Sequence, residues 1–237
     1  MKLHRFIGDW TLGEEMAIRV AEAEVISQVK NVLRLGRGDQ LILADGGGQE
    51  ALVTITDFGR GYFDTRVEEY RWAKAEGEAE TTLYCAVLKK ENFELVVQKA
   101  TELGVKKIVP IITERTVKLG LRFDRLAKIA REASEQSGRG VVPTISEPVE
   151  FSSAVANLSV GTKTVILEEN GQEFSASIFS EAKSRAIFVG PEGGWTEAEI
   201  DQAKAKGLSL AKVCNFTLRA ETAAIVASFL LGQSYEN

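Results

Sequence analysis

The sequence predicts an α/β protein in two parts, a small N-terminal β-barrel and a C-terminal domain built on a parallel sheet. Residues 1–71 show strand-like alternation broken by glycine-rich turns. Over 81–237, short apolar segments alternate with segments of helical spacing, the order that produces a parallel sheet covered on both faces. Residues 72–80 are polar and lack a strand pattern, so we expect a linker there.

In the N-terminal part, strands are predicted at 40–44, 50–57 and 62–70, with an Asp-Gly-Gly-Gly turn between the first two. Ile26, Val29 and Leu33 have helical spacing, and Gly36 follows them. One short helix is therefore expected among the strands, an arrangement that fits a small barrel.

The C-terminal part alternates between the two kinds of segment. Strands are predicted at 81–88, 107–112, 163–167, 186–189 and 213–218. Helices are predicted at 91–103, 123–137, 176–183 and 219–231. A further helix is expected to begin near Thr196, because Glu199 three residues later completes a capping-box pattern.

Composition disfavours several classes of function. The chain has 237 residues, an ordinary globular composition, no charged-then-apolar leader and no apolar run as long as a membrane span, so we expect a cytoplasmic protein. Cys85 and Cys214 form no C-x-x-C pair and are expected to be reduced thiols. His4 is the single histidine, which disfavours a histidine-based metal site or a Ser-His-Asp triad, and we expect no metal.

Charge is distributed unevenly along the chain. The formal net charge is -5, but residues 85–142 contain twelve Lys or Arg and seven Asp or Glu, a local excess of about +5. On charge alone two interpretations stay open. The basic segment is either a set of solvated helix faces with i,i+4 ion pairs or a surface that meets phosphates.

The candidate site is the turn Gly190-Pro-Glu-Gly-Gly194, which follows an apolar strand and precedes a helix. Glycines let backbone approach a ligand, and amides at a helix start are ready donors. The turn is neither a P-loop nor a G-x-G-x-x-G fingerprint, which disfavours phosphate transfer and dinucleotide binding. Glu192 places an anion in the turn, so a ligand with positive charge is favoured. A plain tight turn is the alternative.

Three more charged residues are candidates. Arg219 and Glu221 flank the start of the last helix, where Glu221 could simply complement the helix dipole. Arg139 lies between glycines in the basic segment, just after a predicted helix end. We expect it on a mobile loop that faces a cleft and contacts an anion, with a helix C-cap as the alternative.

Five motifs, taken together, resemble one family over nearly the whole chain. They are Val32-Leu-Arg34, Gln98-Lys-Ala-Thr-Glu-Leu-Gly-Val105, Glu135-Gln-Ser-Gly-Arg139 with Pro143, Gly190-Pro-Glu-Gly-Gly194 and Leu218-Arg-Ala-Glu-Thr-Ala223. This pattern resembles the bacterial small-subunit ribosomal RNA uracil-N3 methyltransferases. The resemblance implies a PUA-like barrel and a SPOUT methyltransferase domain with a deep trefoil knot. It also implies a homodimer that transfers a methyl group from S-adenosylmethionine to N3 of one uridine in 16S rRNA, with an assembled small subunit as the expected substrate.

The expected residue roles follow from that resemblance. For the cofactor we expect Leu167, Gly190, Pro191, Glu192, Gly193, Gly194, Phe216, Thr217, Leu218, Glu221 and Thr222. For RNA we expect Arg5, Arg34, Lys89, Lys90, Arg115 and Arg139. Arg139 or Arg219 is expected to stabilise the uracil anion, and Glu192 is the candidate base.

The chain departs from the family pattern at Cys214-Asn215, where Leu-Gly is frequent, and at Ile26-Ser27, where a histidine pair is frequent. Two other functions stay open at this point. One is ribose 2′-O-methylation by a member of the same superfamily. The other is a non-catalytic RNA-binding role in ribosome assembly.

Overall fold

The computed structural model describes residues 3–74, 76–117 and 120–233. These residues form two compact units. The first combines the N-terminal segment up to position 74 with 134–142, and the second combines 76–133 with 143–233. Among the described helices, none is long and apolar enough to cross a membrane.

The first unit is built on a five-stranded sheet with the order β1-β3-β4-β5-β2. The strands are β1 Arg5–Ile7, β2 Ala17–Val20, β3 Gln40–Ala44, β4 Gln49–Gly59 and β5 Tyr62–Trp72. The β1–β3 pair is parallel and the others are antiparallel. The described strands leave β1 and β2 as open edges, so a closed barrel is not confirmed.

Alternation along β4 and β5 explains the core of this unit. Val53, Ile55 and Phe63 are buried and pack in one apolar cluster, while polar neighbours face outward. The predicted short helix is α1 Ala23–Ser27 continued by a π-helical turn, Gln28–Val32. Segment 134–142 adds to the unit through the Ile7 amide, which donates to Glu135 Oε1 at 2.8 Å.

The second unit contains a seven-stranded sheet with the order β12-β10-β11-β6-β7-β8, and β9 also pairs with β7. Its strands are β6 Glu80–Ala86, β7 Lys107–Ile112, β8 Thr144–Ile145, β9 Val149–Glu150, β10 Lys163–Glu173, β11 Ser184–Val189 and β12 Ser209–Lys212. All these pairings are parallel, which confirms the predicted α/β class.

Helices accompany this sheet. They are α2 Lys90–Glu102, α3 Phe123–Ser137, α4 Phe151–Ala156, α5 Glu197–Ala205 and α6 Ala220–Gly232. The last helix follows the edge strand β12, yet it packs on α2 and on the central strands β6 and β11. The chain therefore crosses back over the carboxyl ends of the strands between β12 and α6.

Two predicted elements differ from the structure. Residues 213–218, predicted as a strand, are a loop, and the strand is β12, a few residues earlier. The error arose because apolar Val213, Phe216 and Leu218 were taken as buried, whereas Phe216 is 82% exposed. The helix predicted at 176–183 is one 3₁₀ turn, Ala176–Phe179.

Candidate functional site

A cavity of about 690 Å³ opens at the carboxyl ends of β10, β11 and β12 in the second unit. This edge of a parallel sheet is where ligands bind in open α/β folds. The cavity brings together most of the predicted cofactor residues: Leu167, Gly190, Pro191, Glu192, Gly193, Gly194, Phe216, Thr217, Leu218 and Glu221. Thr222 is the exception, because it is exposed on α6 and is not among the lining residues.

The turn after β11 has a conformation that requires its glycines. A Cβ at Gly190 would lie 3.0 Å from Cε2 of Trp195, a closer approach than real side chains normally make. Gly194 has φ +70, in the left-handed region that favours glycine, and its amide donates to Pro191 O at 2.9 Å. The turn therefore presents backbone to the cavity.

Arg115 and Trp195 fix this turn to the strands around it. Arg115, just after β7, donates from Nη1 to Gly193 O at 2.6 Å and to Trp195 O at 3.2 Å. The buried Trp195 ring donates from Nε1 to Leu167 O at the cavity wall, at 2.9 Å. Arg115 was predicted to bind RNA, and in the structure its guanidinium holds the glycine turn.

The helix start after the turn is also firmly bonded. Thr196 and Glu199 form the predicted capping box, with the Thr196 amide donating to Glu199 Oε2 at 2.8 Å. The other carboxylate oxygen of buried Glu199 accepts from the Glu114 amide at 3.0 Å. Because Glu114 lies beside Arg115, one segment after β7 supports both the turn and its helix.

The second wall, the loop 213–219, is more exposed. Cys214 Sγ donates to Phe216 O at 3.2 Å, and Lys212 Nζ donates to Asn215 Oδ1 at 3.0 Å. Arg219 is the exposed N-cap of α6 and makes no side-chain capping bond. The first turn of α6 lines the cavity with amides that have no partner within the helix.

The cavity carries charges of both signs. Its carboxylates are Glu168, Glu169, Glu192 and Glu221, and its cations are Lys89, Arg115, Lys212 and Arg219. Glu221 accepts from Asn92 Nδ2 at 3.3 Å. Burial raises the pKa of the Cys85 thiol, at the end of β6, well above its usual range, and the negative charge of Glu192 adds a smaller contribution.

The residues predicted to bind RNA are dispersed. Lys89 lines the cavity, and Arg34 is exposed in the first unit with φ 55. Arg5 is not free, because it forms an ion pair with buried Glu50. Lys90 begins α2, but its side chain lies outside the described part of the chain.

Arg139 differs most from expectation. It is 8% exposed and has interactions of its own, rather than extending from an exposed loop. It groups with the first unit and is not among the residues that line the cavity of the second. The glycines on either side suggested exposure, but Gly140 is itself buried.

Several lining residues escaped prediction. Trp195 directly follows the glycine turn, and its position next to Gly190 was a usable signal. Asn92, Glu168, Glu169 and Lys212 gave no signal in sequence, because strand register and helix rotation bring them to the cavity. No group of three or more His, Cys, Asp or Glu suited to a metal ion is found among the residues described.

Comparisons with known proteins agree with this geometry. A family model described as an RNA methyltransferase domain matches residues 75–232. Ribosomal RNA small subunit methyltransferase E of Rickettsia conorii is 33% identical over 231 residues, covering 96% of this chain and 94% of the relative. The Bacillus subtilis protein of that name is 30% identical, covering 86% and 85%.

A solved structure supports the same assignment. Ribosomal RNA small subunit methyltransferase E from Neisseria gonorrhoeae, bound to S-adenosyl methionine, superposes with a TM-score of 0.87 at 27% identity, covering 96% of this chain and 95% of that one. The fold and the matched domain thus define an RNA methyltransferase. More particularly, the chain belongs to the ribosomal RNA small subunit methyltransferase E family.

Proposed function

We propose that this protein uses S-adenosylmethionine to methylate N3 of one specific uridine in 16S rRNA. The observation that carries the proposal is the cavity between the 190–194 turn and the 213–219 loop, in a chain whose relatives are named for this class of enzyme. The Neisseria gonorrhoeae relative was crystallised with the cofactor.

The residues present fit this cofactor. A volume of about 690 Å³ falls in the range of roughly 300–1,000 Å³ that small-molecule sites occupy. S-adenosylmethionine supplies a methyl group on a sulfonium, a cation without phosphate. Glu192 and Glu221 in the lining suit positive charge, and the glycine turn offers backbone groups where a nucleotide base can be read. Leu167 and Leu218 provide apolar walls for the base.

Two residues are assigned to the chemistry. Uracil N3 carries a proton and becomes a good nucleophile only when that proton leaves. Glu192 is the candidate group to accept it. The exposed Arg219 guanidinium, at the start of α6, would then stabilise the negative charge spread over the uracil oxygens. Arg139 is buried and does not line this cavity, so we assign that role to Arg219 first.

The wider architecture is proposed on the same grounds. We infer a PUA-like first domain over 1–71, a linker at 72–80 and a SPOUT domain over 81–237, of which segment 134–142 groups with the first unit. The return of α6 from the sheet edge to the central strands supports a knotted SPOUT arrangement. Leu95 on α2 and Phe229 on the adjoining α6 are partly exposed, which supports a homodimer through these helices.

A methyl-transfer assay tests the proposed reaction. Labelled cofactor is supplied with isolated small subunits or with free 16S rRNA, and the products are separated as nucleosides. We expect 3-methyluridine, with the small subunit as the better substrate. A ribose-methylated nucleoside, or no transfer to either RNA, would contradict the proposal. Mass analysis of rRNA from a deletion strain gives an independent readout, since one base methyl should be lost.

A further inference from the structure

A second cavity lies at the opposite end of the same sheet. Its volume is about 680 Å³, and it is lined where β10 begins at Lys163 and β12 begins at Ser209. The cofactor cavity lies at the carboxyl ends of these strands, so the two cavities share no lining residue. Nothing in the proposed methyl transfer uses the second cavity.

The lining of the second cavity suits an anion. It contains Lys163 and Lys206 and no carboxylate, and neither lysine forms an ion pair within the described residues. Six hydroxyl residues also line the cavity: Ser159, Thr162, Thr164, Ser177, Ser180 and Ser209. The hydroxyls of Thr162, Thr164 and Ser177 already bond protein groups, so the exposed Ser159 and Ser209 are the main candidate donors beside the lysines. Hydroxyls rotate to donate hydrogen bonds, and an ammonium supplies three donors. In a chain with a formal net charge of -5, a cavity with two cations and no lining anion is a local exception.

The position of the cavity favours RNA as the source of that anion. The edge strand β12 runs from Ser209, in the second cavity, to Lys212, in the cofactor cavity. Three residues of strand span about 10 Å, a distance that a few nucleotides of an RNA strand cover. Phosphate contacts from lysine and hydroxyl side chains fix the register of a nucleic acid without reading its sequence.

We propose that this second cavity binds a backbone phosphate of the RNA substrate and so aligns the strand along β12 toward the cofactor cavity. The proposal rests on the proposed function in one respect, that RNA is the substrate. A phosphate held here would limit the positions that the target nucleotide can occupy at the other end of the strand.

The test compares two double variants that each remove two positive charges. Lys163→Ala/Lys206→Ala removes the lysines of the cavity. Lys183→Ala/Lys204→Ala is the matched control, because both residues are exposed in the same unit and line neither cavity. Binding of labelled 16S rRNA and of isolated small subunits is measured over a range of salt concentrations. Cofactor affinity by calorimetry and thermal melting are recorded for all proteins.

We expect the cavity variant to bind RNA about tenfold more weakly and to reduce the slope of log affinity against log salt by roughly 0.7 to 0.9, as the loss of one neutralised phosphate requires. The cavity variant should match the wild type in cofactor affinity and melting temperature. The control variant should keep most of the wild-type slope of log RNA affinity against log salt. Equal RNA affinities and slopes in the two variants would overturn the proposal. A titration with inorganic phosphate tests whether the cavity binds a small free anion and not RNA. If the cavity variant lost phosphate binding but kept its RNA affinity, the proposal would also be overturned. Failure of the methylation assay leaves this readout unaffected.

Discussion

The two walls of the cofactor cavity are built in opposite ways. The turn at 190–194 is held by Arg115, by the indole of Trp195 and by a capping box whose Glu199 carboxylate also accepts from the Glu114 amide, in the segment after β7. The loop at 213–219 is exposed from Cys214 to Thr217, and its recorded side-chain bonds are local. The first wall is thus bonded to other parts of the sheet, whereas the side-chain bonds of the second stay within its own segment.

This difference suggests a division of roles. A preorganised turn loses little conformational freedom on binding, so it contributes mainly to cofactor affinity. The exposed loop carries Arg219, the residue that we propose to act on the substrate during transfer. Substitutions that loosen the first wall should therefore weaken cofactor binding, whereas those in the second should alter turnover.

The largest expected effect is from Arg219→Ala. Losing a donor that stabilises developing negative charge lowers kcat by about 100-fold, while calorimetry should show cofactor affinity close to that of the wild type. Arg219→Lys keeps the charge and should restore part of the rate. Near-normal turnover of the alanine variant with cofactor bound would remove Arg219 from the chemistry.

Arg115→Ala tests the fixed wall. Without the bonds to Gly193 O and Trp195 O the turn is less ordered, and we expect cofactor affinity to fall about tenfold, or about 1.4 kcal/mol. Arg122→Ala removes the same charge from an exposed ion pair away from the cavity and serves as the control. A loss of RNA affinity with unchanged cofactor binding would instead support the RNA role predicted from sequence.

Glu199→Ala should reduce activity less than the two arginine variants, because it acts by lowering the stability of the fold. It removes the capping box and leaves the Glu114 amide without its acceptor, so we expect a loss of about 1–2 kcal/mol in the free energy of unfolding. Urea denaturation measures it, and Glu197→Ala, an exposed position on the same helix, is the control. Equal stability of the two variants would show that the cap does not support this wall.

Thiol labelling provides the smallest and most local effect. Cys214 is exposed and lines the cavity, so it should react with a thiol reagent. Bound cofactor should slow that reaction. Buried Cys85 should stay unmodified, because its raised pKa disfavours the reactive thiolate. Because the pKa of Cys85 is higher in the folded protein, this thiol costs no stability below the ordinary thiol pKa of about 8.5. Above that pH the unfolded state ionises first, so the free energy of unfolding falls as pH rises. Labelling of Cys214 unaffected by cofactor would place the ligand elsewhere.

Much of the second unit could be predicted from sequence, because buried parallel strands and amphipathic helices leave distinct apolar periods. β7 was predicted correctly for that reason, and the start of α5 at Thr196 was predicted correctly from its capping box. The edge strand β12 was misplaced, since its four residues are short and the apolar residues after it are solvent-exposed. Apolar side chains in a ligand loop give the same signal as a buried strand.

The site was predictable where backbone conformation is encoded by glycine and proline, as in the turn from Gly190 to Gly194. It was not predictable where tertiary packing sets the environment of a long side chain. Arg5 and Arg115 bond a carboxylate and a carbonyl oxygen that the fold brings nearby, and Arg139 is buried by tertiary packing, none of which the sequence specifies. Charge alone therefore does not predict which arginines have their guanidinium groups held by other parts of the fold.

Hydrogen exchange read by mass spectrometry, with and without S-adenosylmethionine, tests the central claim most directly. If the two walls enclose the cofactor, amides at both 190–194 and 213–219 should exchange more slowly, with the larger change in the exposed loop. The second cavity, around Lys163 and Lys206, should show no change. Slowed exchange confined to other segments, or none at saturating cofactor, would contradict the account.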